Sequence, residues 1–313
     1  MSTYTFHEGS WPSTFEIDFE PALFNLQEFA ALTKQAQLRT YYACHEGRQK
    51  VVAFVHFQID KDSALSPFRA PFGSIEAVQD IDPHTLYDFI AFIERHLRAL
   101  AVRRVILKNP PRAYSPTLLA LLETFLLNHG FTVANAEPGA VIRVTNEDFS
   151  TKIDHAQRLR KKQAESAGLR FCLMQRERLD DIYRSIEAWH AEKGYQVPLS
   201  LELLHSAVQR FPDRYILSAV VKDDEICAAA ISVRVSENVL YNFLVNHDPG
   251  LNSLSPPVQL MEGLYRYCVE RGIGLFDLGT SALAGKPNFP LLEFKLRMGA
   301  AVTSKLTFYK DLS

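Results

Sequence analysis

Lys295 stands where a core residue is expected. The stretch NFPLLEFKLRMGA, residues 288–300, has helical periodicity. At about 100° per residue, Leu291, Leu292, Phe294, Leu296 and Met298 fall on one arc. Glu293 and Arg297 point the other way, whereas Lys295 falls inside the arc, in line with Leu291 and Met298. A buried ammonium can stabilise an oxyanion or protonate a leaving group, and if burial lowers its pKa it can shuttle a proton near neutrality. Two structural alternatives stand beside these roles. Lys295 can snorkel to the helix edge, or it can form a structural ion pair with Asp277.

Other polar residues are candidates beside it. Asp277, Thr280 and Ser281 end the apolar run GLFDLGTS. Tyr241 and Asn242 lie in VLYNFLVNHD, as site residues or as ordinary strand residues, and His247 is a base or a solvated loop histidine. Arg69, in the Pro/Gly-rich SPFRAPFG, can clamp a carboxylate or phosphate, or the loop is simply stiffened by Pro67 and Pro71. Between Lys152 and Lys162, five basic residues face Asp154 alone. That run is a solvated linker helix or an anion contact through Arg158 and Arg160. The four cysteines are scattered and the histidines form no H-E-x-x-H, so no metal site is expected.

Regular elements must position these residues. DPHTLYDFIAFIERHLRALAV and PPVQLMEGLYRYCVERG both have helical periodicity. Each is followed by a short apolar run (RRVILK; IGLFDLG), a second helix ending in glycine (Gly130; Gly299) and further strand-like sequence. Upstream, LRTYYACHEGRQKVVAFVHFQID reads as two strands, and residues 214–248 read as three. The chain therefore reads as one α/β unit used twice, joined near residue 150, with domains 1–150 and 151–313. Hydrophobic content of 47% fits a large core, and a net charge of −2 supplies no global pull towards nucleic acid or membrane. The N-terminal stretch has no basic and apolar signal pattern, and no apolar run approaches the roughly 18 residues that span a bilayer, so a cytoplasmic protein is expected.

This order of elements resembles the GNAT acyltransferase superfamily. Asn288, Lys295 and Gly299 stand at the spacing of an asparagine–tyrosine–glycine pattern found near the end of many of its acetyltransferases, with lysine in the tyrosine position. A helix ending in Phe294-Lys295 before Gly299, after a strand carrying Asp277 and Gly279, resembles the Fem-like branch, and so does the basic RLRKKQAESAGLRF. That branch contains tandem GNAT proteins, including peptidoglycan-bridge aminoacyltransferases. The resemblance implies two tandem GNAT-like domains of α/β (α+β) class, each a mixed, mainly antiparallel sheet flanked by helices.

It also implies an acyl group held between splayed fourth and fifth strands, here VLYNFLVNHD and GLFDLGTS. Backbone donors from Phe243 through Leu244 to Val245 would polarise the acyl carbonyl, and Lys295, Asp277 and Tyr241 become catalytic candidates. Asn288 and Ser255 join the donor-binding set, with Ser255 expected to cap a helix whose N-terminus favours an anion. Arg69, Arg158, Arg160, Thr280 and Ser281 are the acceptor-binding candidates, Arg69 facing a groove between the halves. The phosphate loop departs from the family pattern: NHDPGLNSLSPPVQL keeps Gly250, but Pro256 and Pro257 remove two amide donors. The expected activity is acyl transfer from acetyl- or another acyl-CoA to an amine of a small or peptidic acceptor. The alternatives are a Fem-type transferase with an aminoacyl-tRNA donor, the one reading that brings in nucleic acid, and a non-catalytic binding module. In the first half, four and eleven residues before Gly130 stand Leu126 and Leu119, so only the second half carries the polar set, and the first is expected to be a degenerate wall and acceptor platform.

Overall fold

The computed structural model describes residues 4–10, 12–32, 37–67, 69–283 and 285–312. Its contacts divide the chain into two compact units, residues 1–137 with 303–313, and residues 138–302. The first unit runs through β1 (Tyr4–Glu8), β2 (Glu16–Ile17), α1 (Gln27–Ala31), β3 (Gln37–His45), β4 (Lys50–Asp60), β5 (Ser63–Ser66), β6 (Glu76–Ala77), α2 (Pro83–Ala99), β7 (Arg104–Lys108) and α3 (Pro116–Asn128). β8 (Thr132–Arg143) carries the boundary within it. The second unit holds α4 (Phe149–Lys152), α5 (His155–Ser166), β9 (Arg170–Met174), α6 (Leu179–Glu192), α7 (Leu201–Arg210), β10 (Tyr215–Lys222), β11 (Glu225–Ser236), β12 (Val239–His247), α8 (Pro256–Glu270), β13 (Leu275–Thr280), β14 (Ala282–Leu283), β15 (Lys286–Pro287) and α9 (Phe289–Arg297). β16 (Ala301–Asp311) then returns most of its length to the first unit, where it pairs with β7. The join near residue 150 thus falls inside the second unit, at α4.

In the first unit the strand order is β1-β3-β4-β5-β7-β16-β8, with β2 and β6 pairing β4. Its parallel pairs are β5–β7 and β2–β4. α2 starts where sequence chemistry places it: the Asp82 carboxylate accepts from Thr85 N at 2.8 Å, and Pro83 fills the first turn, where a missing N–H costs nothing. Leu86, Phe89, Ile90, Ile93 and Leu97 form its buried stripe, and Leu118, Leu119, Leu122 and Leu126 form that of α3. Each such side chain contributes about 1.5–3 kcal/mol when fully buried.

In the second unit the order is β8-β13-β12-β11-β10-β9, and β12–β13 is the parallel pair. α8 buries Val258, Leu260, Met261, Leu264, Tyr265 and Cys268. Gly263 lets this helix press on β9, because a Cβ there would collide with the Phe171 ring.

α9 departs from the periodicity argument. Leu291 is 38% exposed and Leu296 40%, whereas Lys295 is the buried residue of the helix at 6%. Met298, just past the helix end, is fully buried. The arc was sound as geometry, but periodicity does not say which part of an arc a neighbour covers. Here Gly299, just past α9, lies against the Lys152 carbonyl, and Lys295 and Met298 are the residues that are buried.

Candidate active site

β12 and β13 pair at Val239–Leu275, Leu240–Phe276 and Tyr241–Asp277, and there the ladder stops. Residues 242–247 of β12 continue along β11 alone. The fourth and fifth strands of this unit therefore part, as the resemblance implied. A bulge accompanies the parting: Ile231 faces Leu244 and Ser232 faces Asn242, which leaves Phe243 as the extra residue on β12. Backbone amides of this segment that point away from β11 have no partner on β13.

Lys295 reaches β13 just past the last paired step. Its Nζ donates to Gly279 O at 2.9 Å and to Thr280 O at 2.8 Å. Burial lowers its pKa to about 8, with the Asp277 charge opposing that shift. Asp277 is fully buried, and its Oδ1 accepts from Gly279 N at 2.7 Å. Gly279 has φ of +76°, and a Cβ there would stand 3.5 Å from the Tyr241 ring. That left-handed backbone, which glycine adopts at little cost, lets the strand end turn and present two carbonyls to the ammonium. Ser281 is fully buried with an unpartnered Oγ, and its backbone N donates to Pro138 O at 2.7 Å. Tyr241, Asp277, Thr280, Ser281 and Lys295 thus lie about the end of β13. Both readings of Lys295 find a physical basis here: a lowered pKa, and a hydrogen-bonded structural anchor.

The donor-phosphate end differs from the expectation. Ser255 occupies the N-cap position of α8, but with left-handed backbone (φ +54°) and no capping bond; its Oγ turns to Asn252 O at 3.4 Å. Pro256 and Pro257 have no N–H, Ser255 N and Val258 N already donate to Asn252 O and Ser255 O, and Gly250 N donates to Asp248 Oδ1. A diphosphate bound at this helix start would have to displace those bonds or be held without them. Asn288 Oδ1 caps α9 by accepting from Leu291 N at 3.2 Å, which gives its side chain a structural use.

Of the arginines expected to bind the acceptor, Arg158 is engaged within α4 and α5. Arg158 donates to Ser150 O and Ile153 O at 3.3 and 2.8 Å, an internal brace across α4 and α5. Lys161 pairs with Glu262 at 2.7 Å and Lys152 with Glu147, so two of the five basic residues of the run are paired within their own unit. Arg160 is exposed on α5. Arg69 is exposed in the first unit with φ of +55°. His247 Nε2 meets Asn252 Oδ1 at 2.7 Å, and burial lowers its pKa. Sequence reading missed Lys193, whose Nζ donates to Asn246 Oδ1 at 2.6 Å beside the unpaired part of β12. No signal in its flanking residues separates Lys193 from a solvated helix end. Among the described residues, no cluster of histidine, cysteine and carboxylates could hold a metal, and no helix is long and apolar enough to cross a membrane.

Residues 152–291 match the family model of an acetyltransferase (GNAT) domain. The chain is similar in fold to FemX, with a TM-score of 0.71, 11% identity and 92% of each chain covered. It is also similar to L-PGS from Bacillus licheniformis, with a TM-score of 0.56, 14% identity, and 83% of this chain and 81% of that one covered. A tandem GNAT protein from the clavulanic acid biosynthesis pathway aligns with a TM-score of 0.52, 9% identity, and 89% and 84% coverage. No curated protein sequence matches the chain. At these identities the likeness is one of fold: the chain has a tandem GNAT, Fem-like fold, and residues 152–291 match the acetyltransferase (GNAT) domain model.

Proposed function

We propose that the second unit is an N-acyltransferase that moves an acyl group from a thioester or ester donor to an amine of a small or peptidic acceptor. The observation that carries this reading is the parting of β12 from β13 after Tyr241–Asp277, with the Phe243 bulge beside it. An acyl group between the strands would meet the backbone amides of Phe243 to Val245. The acceptor nitrogen then attacks the carbonyl carbon, a C–N bond forms, and negative charge develops on the carbonyl oxygen. Donors fixed in advance around that oxygen favour the transition state, commonly by about 100- to 1,000-fold per donor. The bond from the carbonyl carbon to the donor sulfur or oxygen breaks, the leaving atom gains a proton, and the nitrogen loses one.

Lys295 suits this chemistry as an ammonium. Two of its three donors hold Gly279 O and Thr280 O, and the third remains for the oxyanion or leaving atom. The buried Asp277 charge favours the protonated form. The part of the rate that depends on Lys295, read as the ratio of wild type to Lys295→Met, is therefore expected to fall as pH rises through about 8.

Acetyl- or another acyl-CoA is the first donor proposed. The second reading, an aminoacyl-tRNA donor, is favoured by the occupied or missing amides at Gly250 and Ser255 to Val258. Calorimetric titration with acetyl-CoA separates the two. Saturable one-to-one binding supports the first. No binding at millimolar ligand by folded protein removes it, and transfer from charged tRNA to an amine then becomes the assay.

A further inference from the structure

The second unit contains a cleft of ≈ 620 Å³ that is separate from the parting strands. Its apolar wall is Leu173 and Met174 of β9 with Ile216 and Leu217 of β10. Its polar groups come from four distant parts of the chain: Arg176 after β9, Tyr215 on β10, Arg234 on β11, and Tyr267 and Arg271 at the end of α8. α8 spans about 22 Å at the usual rise per residue, so the cleft lies a helix length from the N-terminus where a donor phosphate was expected.

The arginines converge on Tyr267. The Arg271 guanidinium lies 5.6 Å from the centre of its ring. Burial raises the Tyr267 hydroxyl pKa, and the charges of Arg271 and Arg234, which line the same cleft, pull it back. Arg234 Nε is buried without a hydrogen-bond partner, and Nη2 reaches Glu237 O only at 3.5 Å. A buried guanidinium N–H left unpaired is costly and calls for an acceptor. The opposing charges are weaker. Asp213 meets Arg176 at 3.5 Å, but its side chain is 95% exposed, and Glu177 is also exposed. The end of α8 adds about half a negative charge, against three full positive ones.

We propose that this cleft is a second binding site, for a small molecule with an oxyanion head, carboxylate or phosphate ester, on an apolar body. Arg234 and Arg271 form the fork for the head, Tyr215 and Tyr267 supply hydroxyls at its edge, and the Leu173–Leu217 wall receives the body. The proposal stands apart from acyl transfer and holds whichever donor is used.

The test is calorimetric titration of the full chain with phenyl phosphate, benzoate and neutral benzamide, repeated on Arg271→Gln and Arg234→Gln. Arg271 is exposed, so its variant carries little risk to folding. At least one anion is expected to bind saturably at one-to-one stoichiometry, benzamide is not, and each substitution weakens binding by about tenfold or more. The stronger of the two anions identifies the head group. The proposal is overturned if neither anion binds saturably at millimolar concentration, if benzamide binds equally well, or if either arginine variant keeps wild-type affinity.

Discussion

α3 and α9 hold the same place in the order of their units, each following a helix and a short strand and each ending at a left-handed glycine. Four residues before that glycine, α3 carries Leu126 at 0% exposure and α9 carries Lys295 at 6%. The strands before them differ in the same sense. All four residues of β5 pair with β7, whereas β12 runs on past its last β13 partner. Where the parallel strands stay zipped, the helix position is plain core. Where they part, it holds an ammonium facing two strand-end carbonyls. The comparison places candidate chemistry in the second unit by contrast with a neighbour of like pattern.

The largest expected effect falls on the first unit. Leu126→Ala should leave a cavity and lower stability by about 2–5 kcal/mol, measured by urea unfolding. A cost under 1 kcal/mol would show that Leu126 is not the core residue described. Lys295→Met should lower kcat by about 100- to 1,000-fold once an acceptor is in hand; unchanged turnover would leave Lys295 as a structural anchor only. Its stability effect should depend on pH. The folded pKa of Lys295, about 8, lies below the ordinary 10.5, so the folded state binds fewer protons between those values. The cost of burying the charge is fully present below pH 8 and is relieved as pH rises towards 10.5. Wild type should therefore gain stability relative to Lys295→Met over that window, and a gap that is flat with pH would contradict the lowered pKa.

The glycines sharpen the contrast at smaller magnitude. Both have φ near +80°, but a Cβ at Gly130 meets nothing within 4 Å, whereas at Gly299 it would stand 2.5 Å from Lys152 O. Gly130→Ala should cost about 1 kcal/mol from backbone strain and Gly299→Ala about 2–4 kcal/mol, because a carbonyl must also move. Equal costs in thermal denaturation would deny the close approach. The smallest pair is at the N-caps. Asn288 caps α9 through its side chain, while Ser115 makes no capping bond to α3. Asn288→Ala should lose about 1 kcal/mol and Ser115→Ala a few tenths, again by denaturation.

The elements on both sides of this comparison were legible in the sequence because each carries its own local signal. α2 has its Asp-Pro start and stripe, and α3 and α9 have their terminal glycines. The position of Lys295 was legible as a charge on an apolar arc, and its burial followed, although Leu291 and Leu296 on that arc proved exposed. What periodicity leaves open is which neighbour covers a face, and here the covered part of the arc is that of Lys295 and Met298. The Phe243 bulge depends on pairing with β11, and the brace made by Arg158 depends on how α4 turns into α5. Arg176, Arg234 and Arg271 form no linear motif, so the second cleft exists only after β9, β10, β11 and α8 assemble.

The most direct test of the account is amide hydrogen exchange, read by mass spectrometry, with and without saturating acetyl-CoA. The account predicts added protection in peptides covering Val239–His247 and Leu275–Thr280, with β5 and β7 unchanged. Protection at Ser63–Ser66 and Arg104–Lys108 without any at β12 and β13 would contradict it, because the donor would then lie against the zipped strands of the first unit.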